Sequence, residues 1–260
     1  MPARLLFSDV DGTLLGGDGR YAMSAAELEP VLPVLDIVLA SSRTVLELSR
    51  NQRDLGISGA VVAENGAVVA WPSTPALAGV GVRATIDARS WQVVLIGASA
   101  EALRSQVEEA ARSLGTEYID QASVEPTLGR RCSVLLRPVP GEGFGSLAGL
   151  ALALRARALS VASGGNWLAV TGGADKGDGV RAVLAVRQRL GAPPSLVAAA
   201  GDGDNDCALL LAAERRFVIA RNDGSWHPAL RELPGVECMT TAGIAGWRDV
   251  VERLTAAQET

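Results

Sequence analysis

The segment LLFSDVDGTLL, residues 5–15, places Asp9 and Asp11 two positions apart where an apolar run stops, with Gly12 and Thr13 directly after. A second acidic cluster, GDGDND at 201–206, follows another apolar run. Side chains two apart on an extended chain project to one face, and neighbouring carboxylates repel. The grouping therefore needs a cation, a proton or solvent to offset its charge. An EF-hand loop does not fit. Counted from Asp202, Cys207 stands where the glycine belongs and Ala213 where the bidentate glutamate belongs. Counted from Asp9, Thr13, Leu14 and Arg20 occupy positions 5, 6 and 12. A dinucleotide-binding loop does not fit either: GDGDND lacks the third glycine, and its carboxylates would repel a pyrophosphate. A solvated loop or helix cap explains one isolated Asp-x-Asp pair, but poorly explains two at strand ends of one sheet.

Mg²⁺ does explain the grouping, as a hard cation held by few carboxylates that keeps room for water and a phosphate. Phosphoryl transfer would then use every part. A carboxylate such as Asp9 can attack phosphorus and form an aspartyl-phosphate. Asp11, whose pKa a neighbouring anion should raise, would protonate the leaving oxygen and then deprotonate water. Gly12 lets the backbone approach a phosphate closely, and Thr13 offers a hydroxyl. An anionic nucleophile approaching a phosphate needs a further cation. Lys176 in GGADKGDG supplies one, at a helix start that itself favours phosphate. LASSRT, after another apolar run, adds Ser41 and Arg43 for phosphate oxygens, while Ser42 and Thr44 also read as helix caps.

The elements that must position these residues follow from pattern. RLLFS reads as a buried strand and SAAELEPVLPVL as a helix capped by Ser24 and interrupted by Pro30 and Pro33. DIVLA is a second strand, TVLELSRNQRDLG a helix ending near Gly56, and GAVVAENGAVVA a strand and turn of hairpin type. This alternation predicts an α/β fold, a Rossmann-like parallel sheet with helices on both faces. From about Arg83 the pattern changes to strand–helix–strand–helix–strand–strand, through SWQVVLIG, SAEALRSQVEEAARSLG, RRCSVLLRPV, FGSLAGLALALRAR, ALSVA and NWLAV. An inserted α+β domain is expected over 83–171, dividing the core into 1–82 and 172–260. After it come a helix from Lys176, the strand before GDGDND, CALLLAAE, RFVIAR and the terminal helix AGWRDVVERLTAAQ. Strand ends of one parallel sheet share an edge, so the two acidic clusters are expected to converge.

Composition narrows the classes. The 260 residues are 48% hydrophobic, enough for a large core, and 24 basic against 29 acidic residues give a net charge of −5. That balance offers no electrostatic footprint for nucleic acid or an anionic membrane. The N-terminus reaches polar motif residues too early for a signal peptide, and LAGLALALRARALSVA is broken by Arg155 and Arg157, so no membrane helix is expected. Cys132, Cys207 and Cys238 are far apart, with no Cys-x-x-Cys pair; they suit a reducing cytoplasm and read as small buried side chains. His227, the one histidine, excludes histidine triads and multi-histidine metal sites and reads as a surface residue. Trp71, Trp91 and Trp167 read first as core packing, with a pocket of the inserted domain as the other use.

Taken in order, DVDGT, the Ser41 segment, Lys176 and GDGDND resemble the four motifs of the haloacid dehalogenase superfamily of phosphatases. The resemblance implies that Asp9 is the nucleophile and Asp11 the acid/base. It further implies that Asp202 and Asp206 join Asp9 and the Asp11 carbonyl around Mg²⁺, with Asn205 supporting the site. The insertion between the second and third motifs resembles a C2-type cap. ENGA at 64–67, GGADKG at 172–177 and TTAGIAGWRDVVERL resemble the mannosyl-3-phosphoglycerate phosphatase branch, which implies that Glu64 and Asn65 face the substrate. NWLAVTGGADKG carries fewer polar or basic groups than that branch implies. The expected partner is a small phosphorylated sugar or glycerate derivative, handled in the cytoplasm. A phosphomutase and a non-catalytic phospho-ligand binder are the rival readings; a P-type pump would need membrane helices.

Overall fold

The computed structural model describes residues 4–164 and 167–256. The first strand, β1 (Arg4–Ser8), lies in the middle of a sheet and is buried from Leu5 onward. Leu6 packs into one apolar core while Leu5 and Phe7 pack into the other, on the opposite face. Burial on both faces is why its sequence is continuously apolar instead of alternating. After it, α1 (Ala25–Leu28) starts at Ser24, whose side chain accepts the Glu27 N–H while the Glu27 carboxylate accepts the Ser24 N–H. Pro30 and Pro33 lack the N–H groups a longer helix needs, and it stays one turn long. β2 (Leu35–Ala40) leads to α2 (Val45–Leu55), capped by Thr44 and Glu47 in the same reciprocal way and stopped by Gly56 at φ +65°. Thr44 thus takes the cap role, not Ser42. β3 (Val61–Ala63) and β4 (Val68–Pro72) form the expected antiparallel hairpin.

β5 (Val82–Ile86) and β6 (Arg89–Leu95) correct the boundary expected at residue 83. β6 pairs antiparallel with β4, and β5 with β6, so both extend the first sheet, and Trp91 and Val93 pack into its core. The separate layer begins only after Leu95. An antiparallel meander appended to a parallel sheet has the composition of an α+β unit, and only strand pairing distinguishes the two.

The inserted layer contains α3 (Ala100–Leu114), β7 (Ile119–Asp120), α4 (Gln121–Val124), β8 (Ser133–Arg137), α5 (Ala148–Ala156), β9 (Ser160–Gly164) and β10 (Trp167–Thr171). Among the described residues its strands pair antiparallel in the order β7-β8-β10-β9. Val134, Leu136, Leu168 and Val170 pack beneath α3 and α5. The alternate positions, Leu135, Trp167 and Ala169, fall on the other face of this sheet. Asn166, expected in the last strand, lies outside the described residues.

The chain then returns through α6 (Lys176–Arg189), β11 (Leu196–Gly201), α7 (Cys207–Leu211), β12 (Arg215–Ala220), α8 (Pro228–Arg231), β13 (Val236–Ala242) and α9 (Ala245–Thr255). The expected end of the last helix, at Gln258, lies outside the described residues. β13 was not anticipated, because an edge strand half open to solvent carries mixed polarity. The main sheet runs β13-β12-β11-β1-β2-β3-β4-β6-β5, parallel from β13 to β3 and antiparallel beyond. The chain order reverses beside β1, where open α/β sheets place their ligand crevice. Trp71 and Trp91 are core residues, as first read; Trp167 is only half-buried. All three cysteines are free, Cys132 buried and the others half-buried. No helix among the described residues is long and apolar enough to cross a membrane.

Candidate active site

Strands β1, β2 and β11 end at one edge, and the segments that follow them converge. Asp9 leaves β1 with its N–H donated to the Ala200 carbonyl of β11 at 2.9 Å. Lys176, the first residue of α6, is fully buried, and its ammonium donates to Asp9 Oδ1 and Asp206 Oδ1, each at 2.6 Å. The other Asp206 oxygen accepts the N–H groups of Asp202 at 3.1 Å and Gly203 at 2.9 Å, which curls GDGDND around that carboxylate. Thr13 Oγ1 donates to Asp202 Oδ1 at 2.8 Å. The segments after β1 and β11 and the start of α6 are thus tied together through side chains.

Burial, reinforced by the facing Asp206, pushes the Asp9 carboxyl well above the usual carboxylate range, although Lys176 pulls the other way. Burial and Asp206 likewise raise Asp202, with the Thr13 hydrogen bond opposing. Burial works against the Lys176 charge, but Asp206 and Asp9 outweigh it, and its pKa is raised. Lys176 is therefore a permanent cation in a site with surplus negative charge.

The expectation that Asp9 and Asp11 share one environment needs correction. Of the two, Asp9 is the one the strand end buries, and Asp11 is exposed. Asp11 turns outward and is held by Arg43, whose Nε and Nη2 donate to its two oxygens at 2.9 and 2.6 Å. Gly12 lies at φ +87°, and a Cβ built there would come within 2.6 Å of an Asp202 carboxylate oxygen. Gly12→Ala should displace Asp202. We expect turnover to fall about a hundredfold, the scale of an ångström misplacement at a reacting centre, with an unchanged circular dichroism spectrum.

The LASSRT segment divides its roles. Ser41 is buried, and its Oγ accepts the Arg43 N–H at 3.2 Å. Ser42 and Arg43 line the open cleft. Asn65 reaches the site, its Oδ1 accepting from Asn205 Nδ2 at 3.1 Å. Glu64, expected to face the substrate, does not line this cleft. Its buried carboxylate accepts the N–H groups of Arg131 and Cys132, both at 2.9 Å, and the Ser133 hydroxyl at 2.7 Å. The left-handed turn at Glu64 and Asn65, φ +51° and +56°, aims it at the entrance to β8, away from the cleft. Glu64 thus pins the inserted layer to the core. Glu64→Ala would leave these donors unmatched and should cost about 1–3 kcal/mol in urea unfolding.

The cleft over Asp9 and Asp11 encloses about 680 Å³. Gln121, Arg130, Leu135 and Trp167 of the inserted layer roof it. Arg130 spans the gap, donating to the Ser42 carbonyl at 2.9 Å and to Gln121 Oε1 at 2.6 Å. Arg221 and His227 line the core side, so the half-exposed His227 belongs to the part of the surface that walls this cleft. Apart from Trp167 and His227, these lining residues carried no signal in the sequence, being single side chains from separate elements and loops.

Asp9, Asp202 and Asp206 each offer an oxygen, all within 4.8 Å of one another. This all-oxygen set fits a hard divalent cation such as Mg²⁺.

Residues 6–77 match the family model of haloacid dehalogenase-like hydrolases. The chain is 24% identical over 270 residues, 96% of each protein, to a glucosyl-3-phosphoglycerate/mannosyl-3-phosphoglycerate phosphatase of Methanococcoides burtonii. It superposes on a Thermoplasma acidophilum protein with a TM-score of 0.71 at 15% identity, covering 98% of this chain and 99% of that one. The sucrose-phosphatase of Synechocystis, solved with sucrose and phosphate, gives a TM-score of 0.62 at 15% identity, with 98% of both chains covered. This chain has the haloacid dehalogenase-like fold, a Rossmann-like core with an inserted cap, and carries that family's N-terminal segment.

Proposed function

We propose that this protein is a Mg²⁺-dependent phosphomonoester hydrolase that works through an aspartyl-phosphate on Asp9 and acts on a small phosphorylated sugar or glycerate derivative. The observation that carries the reading is the buried Asp9–Lys176–Asp206 cluster beneath a roofed cleft, with Asp11 and Arg43 at its mouth. Mg²⁺ held by Asp9, Asp202, Asp206 and the Asp11 carbonyl would supply the positive charge that offsets the approach of a carboxylate to a phosphate.

The protein's own groups do the rest. Lys176, bonded to Oδ1, fixes the Asp9 carboxylate and leaves Oδ2 to attack phosphorus. As the new oxygen–phosphorus bond forms, the bond to the leaving oxygen breaks, and Asp11 gives that oxygen its proton. Arg43 exchanges its fork from Asp11 to the phosphate oxygens, which frees Asp11 for this role. In the second half, Asp11 takes a proton from water, the hydroxide attacks phosphorus, and phosphate leaves with Asp9 restored. The cap roof limits the water that can reach the phosphoryl group during the first half.

The named activity of the Methanococcoides burtonii relative supports the substrate class. The test is phosphate release from a panel of phosphorylated sugars and glycerates that includes mannosyl-3-phosphoglycerate. Chelation should abolish release and added Mg²⁺ should restore it. Phosphate retained on an isomerised product would establish a mutase instead. No release by folded, metal-supplied protein would overturn the reading.

A further inference from the structure

We propose that Trp247 is a positioning residue for the reaction: through the Ser8 hydroxyl it fixes the backbone of Asp9. The proposal rests on the phosphomonoesterase reading, in which Asp9 is the nucleophile. Trp247 lies in α9, within the tail TTAGIAGWRDVVERL, and does not line the cleft. Its indole Nε1 donates to Ser8 Oγ at 2.8 Å, and Ser8 Oγ donates to the Asp9 carbonyl at 2.6 Å. Trp247 and Ser8 are both fully buried. Gly246 lets the indole reach this place. A Cβ built there would come within 2.6 Å of the Thr241 carbonyl oxygen, so the glycine allows α9 to close onto the end of β13.

Ser8 ends β1, and Leu6, on the same face of that strand, packs into the core that contains Trp247. Alanine would fill such a place with no polar group to satisfy, whereas a buried hydroxyl costs stability unless it is bonded. Ser8 uses both capacities of its hydroxyl, accepting from the indole and donating to the next residue. The Asp9 backbone is thereby held from two directions. Its N–H donates to the Ala200 carbonyl of β11, and its carbonyl accepts from Ser8. These bonds fix the peptide planes on both sides of the Asp9 Cα. They set the direction of its carboxylate toward Lys176 and the course of the chain to Asp11.

The test is a double-mutant cycle in kcat, with Ser8→Ala and Trp247→Phe made singly and together in the full-length protein. The substrates are p-nitrophenyl phosphate and mannosyl-3-phosphoglycerate, with Mg²⁺ saturating. Phenylalanine keeps the aromatic packing and removes the N–H. Each single change should lower kcat about tenfold for both esters, the scale of a sub-ångström misplacement at the reacting carboxylate. KM should change less than about twofold, because substrate binding is not touched. The double variant should be no slower than Ser8→Ala, since without the hydroxyl the indole N–H has no route to Asp9. Trp91→Phe is the packing control: it lies in the same core, with its N–H on the Ile86 carbonyl at 3.3 Å, and its kcat should be unchanged. Losses that multiply in the double variant, or an equal loss in Trp91→Phe, overturn the relay in favour of plain packing. Ser8→Ala must show its loss even where Trp247→Phe does not fold. An unchanged kcat in either folded single variant overturns the relay and leaves the phosphatase reading standing. Turnover of neither ester by the unaltered protein overturns both.

Discussion

Asp9→Asn is expected to lower phosphate release by about 10⁴-fold or more, the scale seen when a nucleophile is removed from a concerted site, without unfolding the protein. Asparagine matches the shape of aspartate, but its amide cannot form the acyl-phosphate bond. The stability outcome follows from the same geometry. Asp9 is one of three clustered carboxylates facing one ammonium, and burial together with Asp206 already disfavours its charge. Lys176 keeps Asp206 at 2.6 Å after the change. The melting temperature without Mg²⁺ should therefore hold or rise. The additional stabilisation by Mg²⁺ should shrink, because the ion loses a ligand and binding to the folded state is what raises the melting temperature. Turnover within tenfold of the unaltered protein would refute Asp9 as nucleophile. A Mg²⁺-induced thermal shift equal to the original would refute it as a ligand.

Lys176→Met should remove turnover and, unlike the first change, cost stability. It takes away the cation that faces Asp9 and Asp206 and leaves both carboxylates buried without it. Breaking one side of a buried pair costs roughly 3–5 kcal/mol, measurable by urea unfolding at pH 7. The pH dependence has a definite sign. The folded-state pKa of Asp9 is already raised, and loss of Lys176 raises it further. A carboxyl with a raised folded-state pKa favours the folded state below the ordinary carboxylate range and loses that contribution as pH rises through the folded value. The deficit of Lys176→Met should therefore shrink as pH falls from 7 toward 5, and Mg²⁺ should reduce it at pH 7. A deficit that is independent of both would mean that methionine simply packs badly at the start of α6.

The candidate site residues were legible because their signals are local. Asp9, Asp11, Asp202 and Asp206 follow apolar runs, and a strand end is where such a run meets the polar edge of a sheet. Lys176 was legible because it opens a helix directly after a glycine-rich segment, and the capping pairs at Ser24 and Thr44 because three residues contain the whole interaction. The order of the segments along the chain then implied the fold, since strand ends of a parallel sheet must meet at one edge.

What the tertiary structure decided is everything that depends on a partner distant in sequence. Asp9 and Asp11 are two residues apart, yet only Asp9 is buried, because Lys176 and Asp206 close over it while Arg43 draws Asp11 outward. Glu64 and Asn65 are adjacent, yet a left-handed turn sends one to the cap and the other to the site. β5 and β6 belong to the core because β6 hydrogen-bonds to β4, a pairing that strand composition does not encode. Trp167 faces a cleft while Trp71 and Trp91 are buried, because each aromatic residue reads alike until the surface opposite it is known. Residue type and local spacing determined which groups could react; their burial, orientation and pairing came from long-range packing, which places each charge in its own dielectric and against its own neighbours.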